Sequence, residues 1–256
     1  MFSTKTIELK SAKEIGLMRQ AGAIVAATLQ VLSKATNPGI TTLELDKMAQ
    51  GELAKNKAKP AFLGYHGFPG ALCVSINNEV VHGIPSAKRK IKEGDLVSLD
   101  FGCIVDGFYA DAAVSVFVGQ PPAATQKLIN VTRESLGMGI NAAQPGARLG
   151  DVSAAVQQHV EANGFSVVRD FVGHGIGRAL HEDPPIPNFG KPGTGMRLQP
   201  GLVLAIEPMV NAGSADVETL ADGWTAVTKD GSLSAHFEHT VAVTESGPEI
   251  LTVYNG

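Results

Sequence analysis

Cysteine is scarce in this chain of 256 residues, Cys73 and Cys103 being its two thiols. Two thiols cannot build a disulfide framework, a cysteine zinc site or an iron–sulfur centre of four thiolates. Aromatic residues are few, at 5%, with a single tryptophan, Trp224. No run of like charge, low-complexity tract or Pro/Ser-rich linker breaks the chain. One continuous domain over residues 1–256 is expected, with a short N-terminal segment, 1–10, and no extension domain. Charge of either sign is modest: 21 basic against 25 acidic residues leave a net −4 and no basic stripe, which argues against DNA as a partner. The opening MFSTKTIELK lacks an apolar core and a small-residue cleavage signal, so it is not a secretory peptide. The longest weakly polar stretch, residues 21–32, is too short to cross a bilayer and contains Thr28 and Gln30. The expected setting is the cytoplasm, away from membranes, with a monomer as the default state.

What is present fits a soluble globule, with 44% hydrophobic residues and 29 glycines. Ser11 and Glu14 form a capping box, and Ile15, Met18, Ala21, Val25, Leu29 and Leu32 follow at helical spacing until Asn37-Pro38-Gly39. A second box, Thr41 to Glu44, opens a helix through about residue 54. The glycines and prolines of PAFLGYHGFPG predict a loop without regular structure. Strands are predicted over 71–76 and 96–101, and a turn at Asp106-Gly107 leads into 108–118 to make a hairpin. The order then repeats: helices over 124–143 and 149–162, strands over 166–170 and 202–206, and a hairpin with Asp230-Gly231 near its tip and 234–243 after it. Two αβ halves related by a pseudo-two-fold axis are expected from this order, since the amino acids themselves do not repeat.

The informative residues are acids inside apolar strands. Asp100 lies between LVSL and FGCIV, Glu207 in LVLAIEPMV and Glu238 in AHFEHTVAV. Carboxylates are almost never fully buried unless paired or coordinated, and an isolated one neutralises instead. Taken singly, each has an ordinary reading: a turn former or lysine partner for Asp100, a solvated strand residue for Asp111, a strand-end acid for Glu207, a surface polar cluster for Glu238. The set changes the balance, because Asp100 and Asp111 lie on the two arms of one hairpin and none of the four has a cationic neighbour in sequence. His174, in GHGIG, is a candidate nitrogen ligand, although a lone histidine is more often a polar loop residue. Gly173, Gly175 and Gly177 around it allow positive φ and close backbone approach. The spacing is not that of a dinucleotide loop, and no GxSxG, Walker loop or HExxH is present. Four carboxylates and one imidazole are too anionic for one ion and suit two divalent ions with bridging carboxylates. Such an oxygen-rich, thiol-free set favours Mn²⁺, Fe²⁺ or Co²⁺ and admits Zn²⁺. Two ions would lower the pKa of a bridging water and stabilise a tetrahedral intermediate.

The segments GYHGFPGALCVSIN, EVVHGIP, LVSLDFG, DGFYADAAVSVF, FVGHGIGRALHEDP, LAIEPMV, DGW and SAHFEHTVAVT together resemble type I methionine aminopeptidases across nearly the whole chain. The resemblance implies an α+β "pita-bread" (creatinase/aminopeptidase) fold, two related halves around a central antiparallel sheet. It implies Asp100, Asp111, His174, Glu207 and Glu238 as ligands of a dinuclear centre that removes N-terminal methionine ahead of a small second residue. It further implies that His82 contacts substrate near the scissile peptide, His181 polarises the carbonyl and Glu207 shuttles the proton between water and leaving amine. Asp100 would also sit near the substrate's free α-amine. The matching methionine pocket is Tyr65, Phe68, Cys73, Leu180 and Trp224, with Phe62 nearby. The chain departs from the best-known bacterial pattern at Phe62, Phe68, Leu180 and Val81, all changes that keep the pocket apolar. Asn77 and Ser234 match positions near a monovalent-cation site. Substrates would be peptides or nascent-chain N-termini, the latter at the ribosome. Glu207 and Glu238 are 31 residues apart, too close for the helical insertion of type II enzymes, and no cysteine-rich zinc extension precedes the domain.

Prolidases and aminopeptidase P are rival readings, but they carry an added N-terminal domain and only about 80 residues precede VHGIP. A metal-free binding protein on the same fold would lack some ligands, and a phosphatase or nuclease would need a basic phosphate clamp.

Overall fold

The computed structural model describes residues 7–253; residues 1–6 of the N-terminal segment, including most of the stretch read above as not secretory, lie outside the described residues. The first helix, α1 (Ala12–Ala35), begins at the expected capping box, with Ser11 Oγ accepting from Glu14 N and Glu14 Oε2 accepting from Ser11 N at 2.8 Å. Its buried face contains Ile15, Met18, Ala21, Val25, Leu29 and Leu32, the spacing seen in the sequence. Gly22 has a packing reason, because a Cβ there would stand 2.2 Å from Leu251 O of the C-terminal segment. At 24 residues α1 is long and apolar enough to cross a bilayer by composition, beyond what residues 21–32 suggested, yet half of that stretch is buried inside the protein. A second helix, α2 (Thr42–Lys55), starts at the Thr41–Glu44 box and packs on α1.

Five strands follow: β1 (Lys59–Pro60), β2 (Leu72–Ile76), β3 (Glu79–Val81), β4 (Leu96–Val105) and β5 (Phe108–Phe117). The turn between β4 and β5 holds Asp106 and Gly107 both at positive φ, as a type I′ hairpin requires. Next come α3 (Ala123–Ala142) and α4 (Leu149–Ala162), packed together. The rest is strand: β6 (Ser166–Val167), β7 (Gly173–Gly175), β8 (Glu182–Ile186), β9 (Val203–Ile206), β10 (Met209–Asn211), β11 (Val217–Thr219), β12 (Ala226–Thr228), β13 (Ser234–His236), β14 (Glu238–Thr244) and β15 (Gly247–Ile250).

The large antiparallel sheet runs β1-β4-β5-β14-β9-β7-β8, with β2 also on β4 and β15 on β14. Helix α1 packs on β4 and β5, whereas α3 packs on β9, β10, β13 and β14, so each helix pair serves the strands of its own half. In the large sheet the halves join where β5 meets β14, through two register pairs, Glu238↔Ala113 and His239↔Ala112, and they meet again where β3 pairs with β12. Smaller three-stranded sheets, β13-β10-β6 and β11-β12-β3, flank this core.

Four expectations change. Residues 65–67 of the glycine-rich loop form one 3₁₀ turn. The strand expected over 166–170 shortens to Ser166–Val167, since only those two residues find partners, on β10. The ordinary reading weighed for His174, a polar loop histidine, gives way to a strand over Gly173–Gly175. Asp230-Gly231 is a turn but not a hairpin tip: β12 pairs with β11 and β3, while β13 pairs with β10, and the chain changes sheets at Phe237.

Candidate active site

Strand register assembles the acids. Asp100 on β4 pairs with Ala113 on β5, which pairs on its other side with Glu238 on β14. Glu207 follows Ile206, the partner of His239, and so ends the same row. Two residues along, Gly102 pairs with Asp111, Thr240 Oγ1 donates to Asp111 O at 2.7 Å, Thr240 pairs with Ala205, and Ala205 with His174. Residues two apart on a strand share a face, so the five candidate ligands form two adjacent rows on one face. The positions between them, Gly102, Ala113, Ala205 and Thr240, are small and leave room above the sheet.

His174 Nε2 lies 3.6 Å from Asp111 Oδ2 and 3.6 Å from Glu207 Oε1. Ligating atoms of Asp111, His174 and Glu238 all fall within 4.8 Å of one another. His174 Nδ1 is 2.9 Å from the carbonyl of Gly175, so Nδ1 carries the proton and Nε2 offers a lone pair to the acids' side. Asp100 Oδ1 is buried with no hydrogen-bond partner among the described residues. Burial pushes Asp100 up to about 8, opposed by His236 and reinforced by the charges of Asp111 and Glu207. Burial likewise lifts Asp111 to about 7 and Glu207 to about 8, and raises Glu238 well above the carboxylate range. Among the described residues, neither lysine nor arginine lines the cavity that these groups face. A lone-pair nitrogen, an orphaned oxygen and four acids unable to ionise together are a donor set that fits divalent cations. Glu238 is 2% exposed, which removes its reading as part of a surface cluster.

The cavity, of about 310 Å³, is also lined by Phe62, Tyr65, Phe68, Cys73, Val81, His82, Leu180, His181 and Trp224, but not by Asn77 or Ser234. Phe68 meets Trp224 edge to face with centroids 5.1 Å apart. His82 adopts φ 62, a left-handed conformation uncommon for a non-glycine residue, and stands edge-on to Phe171. His181 Nδ1 lies 2.7 Å from Tyr65 Oη, and its ring centroid 4.2 Å from that of His174. Burial lowers His82 to about 4, and burial with the neighbouring histidines lowers His181 to about 3. Both imidazoles are neutral near pH 7, so each can offer an N–H hydrogen bond there but not a ready proton.

Gly173 and Gly175 keep ordinary φ. Their role is close approach, since a Cβ would stand 2.3 Å from Ala205 O at the first and 2.4 Å from Asp183 O at the second. Asn77 and Ser234 are brought together by Ser234 N donating to Asn77 O at 2.9 Å. Sequence reasoning missed His236, which is 1% exposed with Nε2 3.5 Å from Glu207 Oε2 and no hydrogen-bond partner among the described residues. Its position two residues before Glu238 was the available signal. His66, Phe171, Val172 and Met209 also line the cavity and look in sequence like loop or core residues. His239, by contrast, turns to the opposite face and bonds Thr252.

Comparison with known proteins adds a second line of support. The model of metallopeptidase family M24 matches residues 16–245. A methionine aminopeptidase of Clostridium perfringens is 56% identical over 247 residues, covering 96% of this chain and 99% of that protein. The crystal structure of a methionine aminopeptidase from Thermotoga maritima superposes with a TM-score of 0.95 at 51% identity, covering 96% of this chain and 99% of that one. A prolidase from Pyrococcus horikoshii reaches a TM-score of 0.79 at 21% identity, and this chain spans 64% of its length, a likeness of fold alone.

Proposed function

Because the chain belongs to metallopeptidase family M24, as a pita-bread methionine aminopeptidase of type I, we propose that it removes the N-terminal methionine of peptides and nascent chains whose second residue is small. The observation that carries this reading is the double row of acids and His174 at the floor of a cavity whose other wall is largely aromatic and aliphatic. Asp100, Asp111, His174, Glu207 and Glu238 would hold two divalent ions, drawn from Mn, Fe, Co or Zn. When bound, such ions acidify water and offset charge developing on a carbonyl oxygen.

The methionine side chain enters between Tyr65, Phe68, Cys73, Leu180 and Trp224, with Phe62 behind them. Asp100 lies close to the free α-amine. Tyr65 Oη donating to His181 Nδ1 leaves Nε2–H to donate to the scissile carbonyl. His82 contributes a second N–H near the peptide. Glu207 takes a proton from the attacking water and returns it to the leaving amine. A monovalent cation near Asn77 and Ser234, a single catalytic domain, a monomeric state and a cytoplasmic location, in reach of chains emerging from the ribosome, complete the reading. The burial of α1 against β4 and β5 supports its assignment to the protein core rather than a bilayer.

Met-Ala-Ser should be cleaved after methionine with Mn²⁺ or Co²⁺ and not after EDTA, while Ala-Pro substrates stay intact. Asp111→Asn should lose roughly a thousandfold in kcat/KM and bind metal poorly while keeping its circular dichroism. Inactivity with every divalent ion would sink the reading; cleavage of Ala-Pro instead would move the chain to the prolidase side.

A further inference from the structure

Lys10 is an anomaly the chemistry above does not use. Its side chain is 2% exposed, although lysine is among the residues least often buried. The ammonium pairs with Glu182 Oε2 and donates to Glu8 O at 3.0 Å. Two glycines make space for it. A Cβ at Gly177 would stand 2.1 Å from Lys10 Cε, and one at Gly201 would stand 2.9 Å from Lys10 O. Lys10 N also donates to Gly201 O at 2.7 Å.

The partner explains the arrangement. Glu182 Oε1 accepts from the backbone N–H groups of Arg178 at 2.7 Å and Ala179 at 3.1 Å, which closes residues 178–182 into a turn. That turn carries Leu180 and His181 to the cavity wall. One carboxylate thus holds the turn's backbone, and one buried cation on the N-terminal segment holds the carboxylate. Removing the cation would leave Glu182 without its counter-charge, a costly state for a mostly buried acid. Arg178 adds an outer tie, to Glu14 Oε1 at 2.5 Å and Glu8 Oε1 at 3.1 Å, but it is exposed and screened.

We infer that Lys10 is a positioning residue: acting through Glu182, it sets the turn that presents His181 and Leu180 to substrate, so the segment before α1 helps to shape the active site. This rests on the carbonyl-polarising role of His181 given above. The test is a double-mutant cycle on Met-Ala-Ser together with histidine ring resonances in the metal-free protein. Lys10→Met should lower kcat/KM by about ten- to a hundredfold, chiefly in kcat, because small misplacements of a positioned group cost that much. In a His181→Ala background the same change should cost less than about twofold, since independent sites would instead add. The His181 resonance should move in Lys10→Met while that of His239, on the opposite face, stays. Glu182→Gln should reproduce both effects and stands in should Lys10→Met not fold. Equal losses in both backgrounds, or an unmoved His181 resonance, would overturn the inference. If His181→Ala alone left kcat/KM intact, the carbonyl role would fail and the resonance would decide whether Lys10 sets the turn.

Discussion

The N-terminal half places Asp100 and Asp111 on β4 and β5, strands of ten residues paired along their whole length. The C-terminal half places His174, Glu207 and Glu238 on or beside strands of three, four and seven residues, one of them bulged between His174 and Gly175. Both routes deliver side chains to one face, but the forces differ. In the first half a continuous ladder and a type I′ turn fix the register. In the second, backbone contact through Gly173 and Gly175 does the work that strand length does in the first. The helices differ in the same sense. Capping boxes start α1 and α2, whereas α3 starts at Pro122 without a side-chain cap, and α4 has only the return bond of Asp151 Oδ2 from Arg148 N.

The sharpest way to break this contrast is a pair of glycine substitutions. Gly173→Ala should cost about 3 kcal/mol, because the new methyl meets the carbonyl of Ala205 and neither strand can yield. Gly102→Ala, on the ladder side, meets Ala61, Phe62 and Asp111 side chains at 3.0–3.1 Å and should cost about 1 kcal/mol. Equal losses in thermal melts would show that the short strands are not held by backbone contact.

A pH series asks whether the acids of both halves share one burden. Without ions, the folded protein keeps Asp100 and Glu207 protonated up to about pH 8, whereas an unfolded chain releases those protons near pH ~4. Unfolding therefore releases protons across that window, and stability falls as pH rises through it. The chelated protein should melt about 3 °C lower at pH 8 than at pH 7, a window above the one where the buried histidines His82, His181 and His239 act in the opposite sense. Asp100→Asn and Glu238→Gln should each flatten that slope. A melting point that rises with pH would refute the shared burden.

The smallest effect separates the helix starts. Ser11→Ala removes the cap of α1 and should cost about 1 kcal/mol, readable by denaturant titration. A neutral result would mean that packing on β4 and β5 alone fixes where α1 begins.

The same contrast decides what could be read in advance. The hairpin of β4 and β5 announced itself through apolar alternation around Asp106-Gly107, and the capped helices through Ser11 and Thr41. Strands such as β7, built from Gly-His-Gly, or β8, with Pro184 and Pro185, carry no propensity of their own and exist because neighbours pair with them. In the site, Asp100, Glu207 and Glu238 stood out because acids are rare among such apolar neighbours. His236 did not, since a histidine beside an acid looks solvated until its burial is known. Lys10 was silent for another reason: its partner is 172 residues away, and no local pattern encodes such a contact.

Two register pairs are a narrow join between β5 and β14. Asp100 and Asp111 lie on one side of it and His174, Glu207 and Glu238 on the other. An ion shared between the two groups would rivet that join, and the five candidate ligands come together only once both halves have folded and docked in register. Cation binding would therefore count docked molecules, and stripping the cations should loosen the amide of Ala113, which faces β14, to hydrogen exchange before those of the β4–β5 ladder.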